Sequence, residues 1–351
     1  DRMRGMNRIQ YLLRRLMLLV PTFFGITIVC FLLTRILATA PGGLVDMKLA
    51  QMQGVGGGEA GSSVSAQQLQ EDQRKTIEAE LNLDKPFYEQ YYIWAVEEHM
   101  GMSAKSERYK KPTWELIKER IPISMWFGIT AFLLSYMVCI PLGIAKALRH
   151  GSTFDMTSSI IVFTAYAVPA FAIGMMLKTF LCGTVEGFWD IFPLSGFQSD
   201  AAAAEGGWTL FIDRAYHMVL PVTAYVMTSF ALLTIMMKNS LMEQMSSEYV
   251  RTVLAKGATR KRAIWCHAFR NALIPIATGF GGVLGVLFAG SMIIETIFEI
   301  RGMGYFSLEA LRGQDYNIFM AMIVITATIQ LVGNLISDFC YMLIDPRIHF
   351  D

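Results

Sequence analysis

Chemistry-bearing side chains are sparse in this sequence, and their setting limits what they can do. Arg35, Lys178, Glu295 and Asp338 lie in or beside long apolar windows. In lipid such residues mark ion paths or proton relays, because an embedded charge is costly. All four fall near window ends, where a long side chain reaches the polar interface, so interface anchoring is the favoured reading. Asp338 fits it least, about two helical turns before Asp345. No acid or histidine stands at mid-window to suggest proton coupling. The patterns GxxxxGKS/T, HExxH and GxSxG are absent from the sequence, so energy and chemistry must come from elsewhere. Cys30, Cys139, Cys182, Cys266 and Cys340 form no CxxC pair, and three of them sit inside apolar windows as small hydrophobes. No catalytic residue, metal site or cofactor is expected. The net charge of +1 gives no reason to invoke nucleic acid.

The most distinctive polar segment is "EYVRTVLAKGATRKRAIWCHAFRNALIP", residues 248–275. Ser246 or Ser247 can cap a helix start, with Glu248 in its first turn against the positive end of the dipole. Val250 and Leu254, flanked by Tyr249 and Val253, form an apolar face at helical spacing. Glu248, Arg251, Thr252, Ala255 and Lys256 take the other face. Gly257 stands where a left-handed C-terminal cap is wanted. Thr259 can cap a second helix, in which Ile264, Ala268 and Ala272 form one line and Trp265, Phe269 and Leu273 the next. Arg260, Lys261, Arg262 and Arg270 occupy its polar side, and Pro275 ends or bends it. The result is a helix–Gly–helix hairpin with a greasy underside and a basic, small-residue top. Such a hairpin suits anionic membrane lipid or close docking of a partner, and the pattern alone does not choose between them.

An apolar chain must hold these residues. Of 351 residues, 54% are hydrophobic and 17% charged, against about a quarter charged in soluble domains. About 20 apolar residues span the hydrocarbon core, and six windows qualify: 16–37, 123–148, 156–182, 218–237, 273–298 and 318–344. Pro21, Pro141, Pro169, Pro221 and Pro275 fall within or at the ends of these spans, where membrane helices tolerate breaks. The first run is too long for a signal sequence and lacks a small-residue cleavage pattern, so it is expected to be retained, with Met6 a candidate start. Arg2, Arg4, Arg8, Arg14 and Arg15 precede span one. Lys146 and Arg149 lie between spans two and three, and the basic hairpin lies between spans four and five. Residues 183–217 carry Glu186, Asp190, Asp200, Glu205 and Asp213, with Arg214 the one Lys or Arg among them. The positive-inside rule therefore puts both termini and the hairpin in the cytoplasm. The long second segment begins with the Gly/Ser-rich "QGVGGGEAGSSVSAQQ", read as a flexible insertion. It continues into "LDKPFYEQYYIWAVEEHMG", an amphipathic element expected on the outer face or over the bundle.

Several motifs carry a family resemblance. Glu248, Tyr249, Arg251, Thr252, Ala255, Lys256, Gly257, Arg270, Asn271 and Pro275, within "EYVRTVLAKG…HAFRNALIP", resemble the EAA loop of binding-cassette importer permeases of the dipeptide/oligopeptide family. "LDKPFYEQYYIW", "IPLGIAKALRHGSTFD", "VPAF" at 168–171, "FPLSGF" at 192–197, "HMVLP" at 217–221, "ETIFEIRGMG" at 295–304 and "LISDFCYMLIDPRIHF" follow in the family's order, so the likeness covers nearly the whole chain. Arg301-Gly302 departs from the family's usual Pro-Gly pair. That departure, the long insertion after "PGGLVD" and the C-terminal motif look most similar to the microcin-C-type peptide permease subgroup.

The resemblance implies an all-α integral membrane fold of the type I importer kind, with six transmembrane helices in the bacterial cytoplasmic (inner) membrane. Residues 1–37 would form the N-terminus and first helix, 38–121 the extracytoplasmic loop, and 122–351 the permease core with its coupling loop at 238–275. It implies a non-catalytic subunit for peptides or peptide-like compounds. Its partners would be a second homologous permease, two ATP-binding-cassette ATPase subunits and an extracytoplasmic substrate-binding protein. Gly279, Gly282, Gly285, Gly290 and Glu295 are candidates for the path or for helix packing. Alternatives are a secondary transporter, which would need an intramembrane ion site, and a membrane scaffold subunit, which would not need the hairpin. The topology is checked by single cysteines on a cysteine-free background. Positions in 40–120 and 299–317 should react with an impermeant thiol reagent in intact cells, and position 260 should react only after lysis.

Overall fold

A backbone in lipid must satisfy its own N–H and C=O groups, which favours helices. The computed structural model describes residues 8–41, 43, 45–46, 48–50, 64–100, 103–278 and 291–344, and among them no strand forms beyond two isolated bridges, Lys105–Pro112 and Cys182–Asp190. The helices are α1 (Arg8–Thr39), α2 (Val64–Glu80), α3 (Phe87–Tyr92), α4 (Thr113–Leu148), α5 (Thr153–Ala167), α6 (Ala170–Leu181), α7 (Asp200–Glu205), α8 (Gly207–Ser246), α9 (Glu248–Ala255), α10 (Arg260–Arg262), α11 (Phe269–Ala272), α12 (Ile274–Thr278), α13 (Met292–Ile297), α14 (Met303–Arg312) and α15 (Tyr316–Ile344). π-Helical stretches follow α3 at Ile93–Met100 and join α10 to α11 at Ala263–Ala268.

Among the described residues, four helices are long and apolar enough to cross a membrane: Leu13–Ile36 within α1, α4, α8 and Tyr316–Phe339 within α15. The expected third span, 156–182, which contains Pro169, is the pair α5 and α6, bent by 93°. The cause is local. Val168 precedes Pro169 and is driven from helical to extended backbone (φ −91°, ψ 124°), and Pro169 then starts the next helix without needing an N–H donor. The middle of the expected fifth span lies outside the described residues. The tail of the Gly/Ser-rich stretch, from Val64, is not a linker but the start of α2.

The chain divides into two units by contact. The first comprises residues 1–19, 117–309 and 328–351. Its central rod is α8, 40 residues or about 60 Å long. One apolar core gathers around its N-terminal half, where Phe127, Ala131, Ile173, Met218, Val222, Ala224 and Ile294 are buried. A second core gathers around its C-terminal half and includes Ile144, Met237, Leu241, Val250, Ile264 and Ala268.

Near the C-terminal end of α4 lies a buried ionic cluster. Lys146 on α4 is 1% exposed, and its Nζ lies 3.2 Å from Asp155 Oδ1. It also donates to the Asp155 carbonyl and to Ser158 Oγ and Ser159 Oγ at 2.7–2.9 Å. Lys238 on α8 donates to both Asp155 oxygens at 2.8 Å. His150 Nδ1 and the Gly151 N–H reach the same carboxylate at 3.2 Å. One anion thereby ties α4, α5 and α8. Lys146, a topology charge in the sequence, is set on Asp155 together with the half-buried Lys238, and this pairing is what lets Lys146 be buried.

The second unit comprises residues 20–116 and 310–327. Cys30, Phe31, Trp94, Ala95, Met320 and Val324 form its core. Phe31 meets Phe87, Tyr91 and Trp94 at centroid distances of 5.2–5.7 Å, so the aromatic element after α2 packs on α1. Arg35 is no free interface anchor. Its guanidinium lies over Phe31 at 4.9 Å and donates to the Leu81 carbonyl at 2.7 Å. Burial pushes the Glu98 carboxyl above its usual pKa, with Arg35 opposing that shift. Asp315 pins the turn of residues 105–112, accepting from Ser106 Oγ at 2.5 Å and from the Arg108 N–H at 3.2 Å.

Removing one member of a buried ionic group leaves its partners uncompensated. Asp155→Ala strips the anion from two lysines and should cost on the order of 3–5 kcal/mol. Lys146→Met leaves Asp155 paired with Lys238 and should cost less. Thermal unfolding midpoints of the detergent-purified protein check that order.

Candidate functional site

The hairpin forms as a local motif and is then pinned. Helix α9 closes with a Schellman pair: the Ala258 N–H donates to the Val253 carbonyl at 3.3 Å and the Gly257 N–H to the Leu254 carbonyl at 2.9 Å. Gly257 has φ +88°, the left-handed region where a Cβ is penalised. Thr259 caps the next helix, its hydroxyl accepting from the Arg262 N–H at 3.4 Å. Ser247 occupies the N-cap position of α9 but does not cap with its side chain, because its hydroxyl donates to the Gln244 carbonyl at 2.6 Å.

Burial sorts the two faces. Val250, Ala263, Ile264, Ala268 and Ala272 are buried against Met237 and Leu241 of α8 and Ile144 of α4. Ser240 Oγ donates to the Ala272 carbonyl at 2.9 Å and the Tyr136 hydroxyl to the Ile276 carbonyl at 3.4 Å. The hairpin thus sits on the C-terminal ends of α4 and α8. Glu248, Arg251, Thr252, Ala255, Lys256, Gly257, Arg270 and Pro275 are exposed, while Tyr249 and Asn271 are half-buried. Glu248 and Arg251 pair at 3.0 Å in full view of solvent, so that pair adds little to stability.

Two expected apolar positions face the other way. Leu254 is 40% exposed and Trp265 45%. Tyr249, Val250 and Val253 already fill the underside of α9, and Trp265 packs edge-on against Phe269 at 5.4 Å. The exposed tip therefore combines small residues, one leucine and basic side chains, with open space around Gly257.

At the opposite, N-terminal ends of α4 and α8, Glu295 organises a second feature. The expected interface anchor is fully buried. Ser124 Oγ donates to its Oε1 at 3.1 Å and the Tyr305 N–H to its Oε2 at 2.8 Å, while the Met303 N–H donates to Ser124 Oγ at 2.7 Å. Its carboxylate thus caps α14 from inside. A Cβ at Gly302 would lie 2.5 Å from Ser124 Oγ and 2.7 Å from Glu295 Oε2, so glycine alone fits this turn. Lys178 donates to the Ile297 carbonyl at 2.7 Å and lies 3.5 Å from Glu299. Asp338 pairs with Arg15 at 3.3 Å. The glycines at 279, 282, 285 and 290 lie outside the described residues.

Beside this turn is a cavity of about 730 Å³, whose walls include Arg120, Trp126, Phe197, Asp200, Arg214 and Arg301. Reading the sequence did not find it, because Asp200 and Arg214 registered only as topology charges and Arg301 only as a departure from a motif. The signal available was the aromatic, glycine-containing "FPLSGF" loop, which supplies Gly196, Phe197 and Ser195 to its wall.

Long apolar helices and a polar hairpin seated on two of them define an integral, multi-pass membrane protein among the described residues. The chain belongs to the family of binding-protein-dependent transport system inner membrane components, whose model matches residues 139–350. It is 33% identical, over 97% of its length and 99% of the relative's, to the inner membrane ABC transporter permease protein YejB of Escherichia coli O157:H7. It is 34% identical to the peptidoglycan transport system permease protein YejB of Agrobacterium fabrum and 34% identical to the dipeptide transport system permease protein DppB of Escherichia coli K12, each over 97% of this chain and 98% of the relative.

The packing at Gly302 generates a direct test. Gly302→Ala forces the Glu295–Ser124 turn to shift, at a cost of about 1–3 kcal/mol. Faster proteolysis near residues 299–305 in the purified protein should report it.

Proposed function

We propose that this chain is a transmembrane permease subunit of an ATP-driven importer of peptides or peptide-like compounds, peptide antibiotics among them. The observation that carries the reading is the hairpin: an exposed tip of Ala255, Lys256 and Gly257 on an underside buried against α8 and α4. Relatives named as dipeptide, oligopeptide and peptidoglycan permeases support the substrate class. In this reading α9 is a coupling helix seated in a cleft of an ATP-binding-cassette subunit. Two such subunits, a second homologous permease and an extracytoplasmic binding protein complete the complex. Both termini and the hairpin face the cytoplasm.

The mechanism is then mechanical. Closure of the ATPases on ATP pushes the hairpin, and the hairpin is fixed to the ends of α4 and α8 by buried contacts. Packed helices move as bodies rather than bending continuously, so the push tilts α4 and α8 between inward- and outward-open arrangements. The permease itself contributes positioning and a path, with no bond broken on it.

Reconstitution with the partner subunits tests this. The purified chain alone should not hydrolyse ATP, and the complete complex in proteoliposomes should couple hydrolysis to peptide uptake. Gly257→Val places a Cβ at positive φ, a strain of about 1 kcal/mol, and a bulky group on the docking tip. It should leave membrane abundance unchanged but sharply reduce ATPase co-purification and uptake. Glu248→Ala should weaken both less, since an exposed charge contributes under about 1 kcal/mol. Full uptake by Gly257→Val would make the hairpin a lipid anchor instead.

A further inference from the structure

The cavity at the N-terminal ends of α4 and α8 has charges of both signs, and its cationic groups are not equivalent. The Arg120 guanidinium lies over the Phe306 ring at 5.2 Å and 3.6 Å from Glu119. Arg214 donates to Gln198 Oε1 at 2.9 Å and lies over Phe197 at 4.9 Å. Both are held by the protein. Arg301 lines the same cavity, is exposed, and has no hydrogen-bond or ionic partner among the described residues. Asp200, also lining the cavity, is likewise exposed and unpartnered among them. Glu299, by contrast, is within 3.5 Å of Lys178.

Arg301 also stands immediately before a fixed turn. The next residue is Gly302, where no Cβ fits, and the Glu295 and Ser124 hydrogen bonds to the Met303 and Tyr305 amides lock the turn beyond it. A flexible lysine-like charge on a loose loop would be an ordinary solvated side chain. A guanidinium at the start of a clamped turn, beside a cavity walled by Trp126 and Phe197 at 6.4 Å from each other, springs from a fixed backbone position while its side chain stays free to meet a ligand. Its planar fork matches a carboxylate with two parallel hydrogen bonds. A volume of about 730 Å³ falls in the range of small-ligand sites.

We infer that this cavity is a binding site for the termini of a short, zwitterionic peptide, with Arg301 taking the free C-terminal carboxylate and Asp200 the ammonium group. The inference rests on the peptide-permease reading and adds a specificity determinant to it. Trp126 and Phe197 supply apolar walls that tolerate varied side chains, so selection falls on the charged ends. Because Arg301 is exposed, the pair stays partly hydrated and weak, and a weak site lets cargo leave as well as enter.

The probes are tri-alanine and its C-terminal amide, offered to the complete permease–ATPase complex in nanodiscs without the binding protein, with contact read by NMR saturation transfer. Wild type should give a signal for the acid about five- to tenfold above the amide, somewhat below the roughly 13-fold at the lower end of a charge-assisted pair, because Arg301 is exposed. Arg301→Gln should bring the acid down to the level of the amide, and Arg301→Lys, which keeps the charge without the fork, should retain an intermediate preference. Equal signals for acid and amide in wild type, or an unchanged preference in Arg301→Gln, would overturn the assignment. Co-sedimentation of the binding protein with the Arg301→Gln complex should be unchanged, and its loss would give Arg301 to a carboxylate of the binding protein and overturn the peptide site. Uptake by the wild-type complex with its binding protein keeps the two levels apart. Uptake of tri-alanine with no acid preference at the cavity defeats only the site, whereas no uptake of any peptide defeats the permease reading with it.

Discussion

The carboxylate of Asp155 is the constraint on which the hairpin-bearing half of the first unit depends. It accepts from Lys146 on α4 and Lys238 on α8 while belonging to α5, and Lys146 could not stay buried without it. An ammonium in an apolar setting is stable only when paired and hydrogen-bonded. Lys146 meets both conditions through the carboxylate, the Asp155 carbonyl and two serines one turn further along α5. The cluster also sets direction, since a charge-assisted contact at 2.8 Å is less tolerant of sliding than an apolar one. The ends of α4 and α8 that support the hairpin are therefore held in register.

Glu295 plays a corresponding part toward the other end of α4, through Ser124. There the buried anion has no lysine among the hydrogen-bond partners described. It is satisfied by a serine hydroxyl and the first amides of α14, a neutral solution to the same problem of desolvation. One end is thus organised by paired charges and the other by hydrogen bonds to a carboxylate. Between them α8 runs unbroken past Pro221 for 40 residues. Helix α4 carries both Lys146 and Ser124 and so is anchored by both clusters; such an element transmits displacement better than one held by apolar packing alone, because each anchor has a preferred geometry.

The hairpin adds a complementary feature. Its fold is mostly local: a Schellman closure, a left-handed glycine and a threonine cap within a dozen residues. Its attachment is tertiary, through alanines small enough to let α11 lie close to α8, with the Ser240 hydroxyl on the Ala272 carbonyl. A tip that is locally determined and a base that is rigidly seated is what a mechanical coupling element requires.

Periodicity and turn chemistry made much of this legible before any coordinates. Four of the apolar windows became long helices among the described residues, Gly257 took positive φ, Thr259 capped, and Ile264, Ala268 and Ala272 lined the buried face. The EAA-loop motif pointed to the family. These features are local: they depend on residues within a turn or two of one another, or on composition over about 20 residues. What the tertiary structure decided were the long-range polar partnerships. Lys146, Asp155 and Lys238 are separated by up to 92 positions (238 − 146), and Ser124 meets Glu295 across 171. No spacing rule links such pairs, so Glu295 read as an interface anchor and Lys146 as a topology charge. Likewise Leu254 and Trp265 fit an apolar stripe, but which side a stripe presents is set by what already fills the core. Arg301 stood out in the sequence only as a substitution. Its place on a clamped turn beside a cavity depends on Ser124, Glu295 and the loop at 195–200 meeting in space.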